Sequence, residues 1–251
     1  EFNPDLVNHH AARISVPESV RDPLQDAEVN VLGWLNVLQS CVASDVQKVI
    51  YISSGGAVYG EAAEYPTSEN YRPAPRSPYA IHKYIGEEYL VYYHLQHGLK
   101  YTVLRYANVY GPRQIPQSEA GVVSIFINSL LQGDIPRVCA YEGKPEGMYR
   151  DYIYVKDIIE ANVAVLSEGE NETFNVGTGK PVATMDLYRQ LLSVMDLEIT
   201  PEKAAARPGD LHRSCLNIEK IGRITGWKPV WDLRSGLQET VNYFQRKEKE
   251  R

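Results

Sequence analysis

The sequence predicts an α/β fold built on an open, doubly wound parallel sheet, and three observations carry that prediction. Residues 49–52 (VIYI) form the β-branched and aromatic run that a strand buried on both faces requires. The run leads into Ser53-Ser54-Gly55-Gly56, two hydroxyls and two glycines at the carboxyl end of a strand, where open α/β sheets place their ligands. A polar loop over 61–76 then reaches Ser77-Pro78-Tyr79. Ser is a good N-cap and Pro is favoured at the first helical position, so a helix begins there. Tyr79 and Lys83 are four apart in its first turns and share one face.

Such a pair has a chemical use. A free tyrosine, with a pKa of about 10, is a poor base at neutral pH. An ammonium held nearby favours the phenolate, and Ser54 can hydrogen-bond the same substrate hydroxyl that the tyrosine deprotonates. Together they suit removal of a proton from an alcohol while a hydride leaves its carbon. The spacing alone selects nothing, because the chain holds three Tyr-x-x-x-Lys matches. Tyr152/Lys156 lies in DYIYVKD, which alternates like a strand, and Tyr243/Lys247 lies in a charged C-terminal helix. Tyr79/Lys83 follows both a Ser-Ser-Gly-Gly strand end and a helix start.

Composition excludes other classes. A net charge of −6 and a pI near 5.6 argue against a nucleic-acid or anionic-membrane surface, while leaving room for a local basic pocket. Cys41, Cys139 and Cys215 are far apart, odd in number and without CxxC spacing, which implies a reducing compartment, no disulfide framework and a cytoplasmic location. The six histidines show no zinc-ligand spacing, so no metal is expected, and His9 and His10 point to opposite sides if they lie in a strand. No apolar run is long enough to span a membrane. Asn171-Glu172-Thr173 fits a glycosylation sequon that is accidental in a cytoplasmic protein.

SSGGAVYG at 53–60, SPYAIHK at 77–83, LRYANVYGPR at 104–113, RDYIYVKD at 150–157, FNVGTG at 174–179 and RPGD at 207–210 resemble, in order and over nearly the whole chain, the extended short-chain dehydrogenase/reductase family. Within it they most resemble the UDP-glucose 4-epimerases. The resemblance implies a Rossmann-like sheet, NAD as cofactor, a UDP-sugar substrate and a homodimer through the helices near 29–41 and 79–97. It assigns 1–113, with segments from 150–179, to what remains of an NAD-binding domain. The stretches 114–149 and 180–251 form a smaller α/β substrate-binding region.

In chain order, residues 5–12 resemble the family's fourth strand, whose small terminal residues, here Ala11 and Ala12, let backbone approach the cofactor. Residues 15–23 are expected to be a loop. Residues 29–41 repeat Val29, Leu32, Leu35 and Leu38 at helical spacing, and Asn30 matches an asparagine that contacts the cofactor strand. No glycine-rich strand–turn–helix precedes Asp5, where dinucleotide folds open. The chain therefore reads as an N-terminally truncated piece, about 60 residues short, with impaired hydride chemistry of its own. The resemblance gives Ser54, Tyr79 and Lys83 the catalytic roles, with a bound nicotinamide cation favouring the phenolate further. It gives Ser53, Tyr79 and Lys83 to the cofactor.

The Tyr79 helix runs to His97, with Gly98 as its stop. Residues 101–106 read as a further parallel strand. By resemblance Tyr106 borders the nicotinamide and Asn108 contacts the sugar diphosphate. A helix over 121–133 offers the Val122 and Val123 amides to the diphosphate. Arg137–Ala140 aligns with a uracil-binding segment, with Cys139 where relatives carry an aromatic, and 142–149 reads as a flap. Arg150, with Tyr152 beside it, is the foremost phosphate ligand, since a guanidinium can grip two phosphate oxygens. Residues 158–166, 185–195, 218–226 and 233–247 read as helices, 173–176 as a strand and Gly177-Thr178-Gly179 as a turn. Arg207 is assigned to the diphosphate and Asp210 to the uridine ribose. Ser214 stands where galactose-specific relatives carry a tyrosine, which predicts tolerance of N-acetylated sugars.

The family also contains nucleotide-sugar dehydratases and decarboxylases. Dehydratases place Asp-Glu directly after the catalytic Ser or Thr to expel water. Here Gly55-Gly56-Ala57 cannot ionise, which favours epimerisation. A non-catalytic, epimerase-like interaction module is the alternative from another class.

Overall fold

The structure, a computed structural model, describes residues 3–115, 121–207 and 209–250. Strand β1 (Leu6–His9) leads to α1 (Val16–Arg21), α2 (Pro23–Ala27), a π-helical turn (Glu28–Leu32) and α3 (Gly33–Ala43). Then follow β2 (Lys48–Ser54), a single turn α4 (Gly55–Val58), α5 (Pro78–His97), β3 (Lys100–Tyr106) and β4 (Asn108–Tyr110). The remainder is α6 (Val122–Leu131), β5 (Arg137–Ala140), β6 (Tyr149–Tyr154), α7 (Val155–Ala164), β7 (Glu172–Val176), β8 (Pro181–Ala183), α8 (Thr184–Met195), β9 (Glu202–Ala205), α9 (Glu219–Thr225) and α10 (Leu233–Lys249).

The main sheet has the order β1-β2-β3-β7, all parallel. Val49, Tyr51 and Val103 pack with Trp34, Leu38 and Leu90 of α3 and α5. Ile50 and Leu104 meet Ile158, Ala161, Phe174 and Trp227 on the opposite side, so helices cover both faces, as parallel sheets require. A third core joins α6, α8 and α10 to β4 and β6. Lys48 opens the buried β2 because its ammonium donates to the Val165 and Glu168 carbonyls beyond the end of α7, at 2.5 and 3.1 Å.

Helix α5 is capped as its sequence demands. Ser77 Oγ accepts from Ala80 N, and Gly98, at φ 69°, closes the other end. Gly86 is where α5 meets the sheet most closely, since a Cβ there would lie 2.2 Å from Tyr51 Oη. Tyr51 Oη donates to Lys83 O and Trp34 Nε1 to Gly86 O, at 3.3 and 3.1 Å.

Several expectations are corrected. Residues 15–23 are not a loop but hold α1 and the start of α2, each too short and too proline-marked to show a period. The helix expected over 29–41 begins with a π turn. DYIYVKD is strand only through Tyr154, so α7 begins at Val155 and places Lys156 in a helix. The 142–149 segment is fastened rather than a free flap: Glu146 O and Met148 O accept from Met185 N and Thr184 N, at 3.1 and 2.9 Å. His9 and His10 do diverge, His9 stacking on Trp34 and His10 lying against Tyr106.

Candidate active site

Two cavities open at the carboxyl ends of β1, β2 and β3. The larger, about 510 Å3, is walled by Asn108, Val122, Arg150, Tyr152 and Asp210. The smaller, about 290 Å3, is walled by Ala12, Lys83 and Tyr106, with Val123 also at its edge. They meet at Ser54 and Tyr79, which line both. Ser54 ends β2 and caps α4. Tyr79 sits in the first turn of α5, its backbone N–H donating to Ser19 Oγ at 3.1 Å. The Ser54 side chain stands beside the Tyr79 phenol at this junction, close enough to favour the phenolate.

Lys83 is buried one turn further along. Its ammonium donates to Ile52 O at 2.9 Å and lies 5.0 Å from the Tyr51 ring centroid. Burial pulls its pKa down to about 8, against the opposing pull of Asp26 and Glu87. Burial likewise pushes the Tyr79 phenol above its usual range; the Ser54 side chain works the other way, and the Asp26 charge adds to the rise. Desolvation sets the phenol, while the ammonium is directed at a carbonyl.

Ser53, expected at the cofactor, lines the smaller cavity, while its hydroxyl turns to α5 and donates to Glu87 Oε1 at 2.5 Å. Asn30 is buried away from both cavities: its Oδ1 accepts from Arg13 N and its Nδ2 donates to Arg13 O, at 2.9 and 3.0 Å. It fixes the backbone just past β1. Ala12 borders the smaller cavity and Ala11 is exposed beside it. The small residues at the strand end, the buried ammonium and Tyr106 fit a nicotinamide-ribose end of a dinucleotide.

On the other wall, Arg150 Nη1 donates to Tyr149 O at 3.0 Å and to His212 O at 3.5 Å. Burial lowers its pKa, and no carboxylate among the described residues closes an ion pair with it. A guanidinium placed this way suits an anionic ligand. Arg207 and Asp210, expected to take separate parts of the ligand, are paired with each other, Nε to Oδ2 at 3.1 Å; Pro208 between them lies outside the described residues, as do 116–120. Ser214 is buried behind Gly56, where a Cβ would lie 3.3 Å from Asn108 Oδ1 and 4.0 Å from Ser214 Oγ.

Sequence reasoning missed three contributors. Tyr141 donates its hydroxyl to Asp210 O, and Glu61 accepts from His212 N. Asp151, fully buried, takes Thr178 N and Oγ1, Gly179 N and Leu216 N, and so builds the Gly177-Thr178-Gly179 turn and holds the segment just beyond Ser214. These partners are 27 to 151 residues away, beyond any local spacing signal. The RDYIYVKD motif contains Asp151, but its spacing carries no sign of those partners.

Residues 1–177 match the model of the NAD dependent epimerase/dehydratase family. UDP-glucose 4-epimerase of Mycolicibacterium smegmatis is 41% identical over 248 residues, covering 98% of this chain and 78% of that protein. The crystal structure of Thermotoga maritima UDP-glucose 4-epimerase with UDP-glucose superposes with a TM-score of 0.94 at 42% identity, over 98% of this chain and 78% of that one. The UDP-N-acetylglucosamine 4-epimerase of Methanobrevibacter ruminantium, in complex with UDP-N-acetylmuramic acid, gives 0.91 at 36%, over 97% and 77%. The mouse dTDP-D-glucose 4,6-dehydratase is 30% identical over 251 residues, 96% of this chain and 68% of that protein.

Proposed function

The chain belongs to the NAD dependent epimerase/dehydratase family, and from that premise we propose that it interconverts UDP-glucose and UDP-galactose by inverting C4. The observation that carries this reading is the Ser54–Tyr79 contact where the two cavities meet, with Lys83 buried behind it. NAD, the family's cofactor, supplies hydride removal and return when bound. Tyr79 takes the proton of the sugar 4-hydroxyl and later gives it back, Ser54 holds that hydroxyl, and Lys83 anchors the cofactor side. Arg150 holds the diphosphate, with the Val122 and Val123 amides, Tyr152, Asn108 and the Arg207–Asp210 pair around it.

Gly55 and Gly56 favour epimerisation over dehydration, since neither can move the proton that expelling water demands. The small Ser214, where galactose-specific relatives carry a tyrosine, supports tolerance of an N-acetyl group, in keeping with the 36% identical relative named for such a sugar. Val29, Leu32, Val91 and Leu95 are exposed on the helices expected to dimerise, which supports self-association there. The three cysteines are free thiols, in keeping with a cytoplasmic protein.

The test is conversion of UDP-galactose by the protein its complete gene encodes, supplied with NAD. Tyr79→Phe should lower turnover by on the order of 10²–10⁴-fold and Ser54→Ala by less. Normal turnover by the Tyr79→Phe protein would overturn the reading. Sedimentation of that protein as a monomer at micromolar concentration would reject the dimer.

A further inference from the structure

A buried polar chain runs through the molecule from the edge of the smaller cavity, which only its first member, Ser53, lines; none of its members lines the larger one. It starts at Ser53, whose hydroxyl donates to Glu87 Oε1. Arg105 of β3 grips the same carboxylate, Nε at 3.0 and 3.1 Å and Nη2 at 2.6 Å. Its remaining arm donates from Nη1 to Tyr59 Oη at 2.7 Å, and its guanidinium lies 4.9 Å from that ring centroid. Tyr59 Oη donates to Asn175 Oδ1 at 2.8 Å. Asn175 Nδ2 then donates to Thr67 O and Asn217 O, at 2.9 and 3.1 Å. Thr67 pairs through its backbone with Cys215 and Asn217, both at 2.9 Å.

The two ends matter because of what adjoins them. Ser53 precedes Ser54, and Glu87 lies one turn beyond Lys83 on the helix that carries Tyr79. The Ser53–Glu87 bond therefore pins the end of β2 to α5 at the level of the catalytic contact. At the far end, Cys215 and Asn217 flank Leu216, which makes an isolated bridge to Thr67 a few residues after Asp210. One chain of bonds thus ties the base-carrying helix to the segment on the substrate side.

Stability does not require this arrangement. A buried ion pair loses most of its Coulombic gain to desolvation, and apolar replacements of equal volume are commonly as stable. Directional bonds do what apolar contacts cannot: they fix register. Both Glu87 oxygens, the Arg105 fork and both ends of the Asn175 amide are engaged, so the chain admits one geometry.

We propose that Ser53, Glu87, Arg105, Tyr59 and Asn175 are positioning residues that hold helix α5 in register with Ser54 at one end and with the 214–217 segment at the other, so that the two ends govern different kinetic constants. The proposal rests on the C4-inversion reading for its kinetic arm only. Removing the Ser53 hydroxyl loosens the Ser54–Tyr79 alignment, and small displacements at a reacting centre are expensive in rate. Removing the Tyr59 hydroxyl leaves the Glu87–Arg105 pair intact but frees the substrate-side segment.

The experiment compares Ser53→Ala, Ser53→Thr and Tyr59→Phe in the protein encoded by the complete gene, with NAD and UDP-galactose, alongside thermal melting and calorimetric UDP binding. Ser53→Ala should lower kcat about tenfold or more with KM and UDP affinity unchanged, and Ser53→Thr, which keeps the hydroxyl, should restore it. Tyr59→Phe should raise KM and the UDP Kd by roughly three- to tenfold with kcat retained. Equal effects of both variants on both constants, tracking a loss of Tm, would overturn the proposal, as would no effect of either. If the parent protein converts no UDP-sugar, the C4-inversion reading fails. The proposal then stands or falls on UDP affinity alone, which Tyr59→Phe should weaken and Ser53→Ala should not.

Discussion

Two cations face the cleft from opposite walls, Lys83 buried and Arg150 half-buried, and the structure treats them differently. Lys83, on the cofactor-side wall, leans on a carbonyl and an aromatic face, and burial brings its pKa down to about 8. Arg150, on the substrate-side wall, is also pushed down by burial but cannot shed its proton at any physiological pH. A lysine that can become neutral suits a place where charge is adjusted during a proton transfer. A guanidinium that must stay charged suits a place that waits for a permanent anion. The two walls thus differ in what burial does to the cation: it brings one within reach of neutrality and leaves the other charged.

Replacing Lys83 with Met should sharpen this contrast most. The folded pKa lies below the unfolded value of 10.5, so below about 8 both states carry the proton and the burial cost is fully present. Between about 8 and 10.5 the folded state releases the proton while the unfolded state keeps it, and stability rises with pH. Lys83→Met should therefore stabilise the fold at pH 7 by as much as about 3 kcal/mol and abolish that alkaline rise, while reducing turnover; denaturant melts at pH 7 and 10 would read it.

Arg150→Met should act in the other sense. It should leave Tm equal or higher yet weaken UDP binding by about tenfold to a hundredfold, one charge-assisted hydrogen bond or so, measured by calorimetry. Unchanged UDP affinity would break the comparison.

Gly86→Ala attacks the support of the lysine wall. The new methyl meets the Tyr51 hydroxyl, which leans on Lys83 O, so α5 must shift and stability should drop by about 1–3 kcal/mol with a loss of turnover. The smallest effect concerns His9, stacked on Trp34 and held down to about 4 by burial, with the Lys83 charge second. As pH falls from 6.5 towards 4 the unfolded chain takes a proton that the folded one resists, so stability falls through that window. His9→Phe should remove part of that acid loss in melts at pH 7 and 4.5.

The lysine wall was the legible one. Its strand, its Ser77 cap, its Gly98 stop and the Tyr79–Lys83 face all follow from rules that act within a few residues. The field around Tyr79 was not legible, because desolvation depends on α2 and β2 closing over it. The substrate wall is made of contacts such as Glu61 to His212 and Asp151 to Leu216, which become neighbours only when the chain folds back. Even Ser53 and Ser54, adjacent in sequence, part company because alternate strand residues face opposite ways, and the buried Glu87 that claims Ser53 gives no sign of itself in the sequence pattern.

The central claim is that Tyr79 and Ser54 serve inversion at C4 rather than elimination. It is tested most directly by following deuterium from UDP-[4-²H]galactose through the protein with NAD. The prediction is UDP-glucose that keeps the label at C4, a product lost with Tyr79→Phe. A deoxy-keto sugar with deuterium at C6, or label retained at C4 at full rate in the Tyr79→Phe protein, would contradict it.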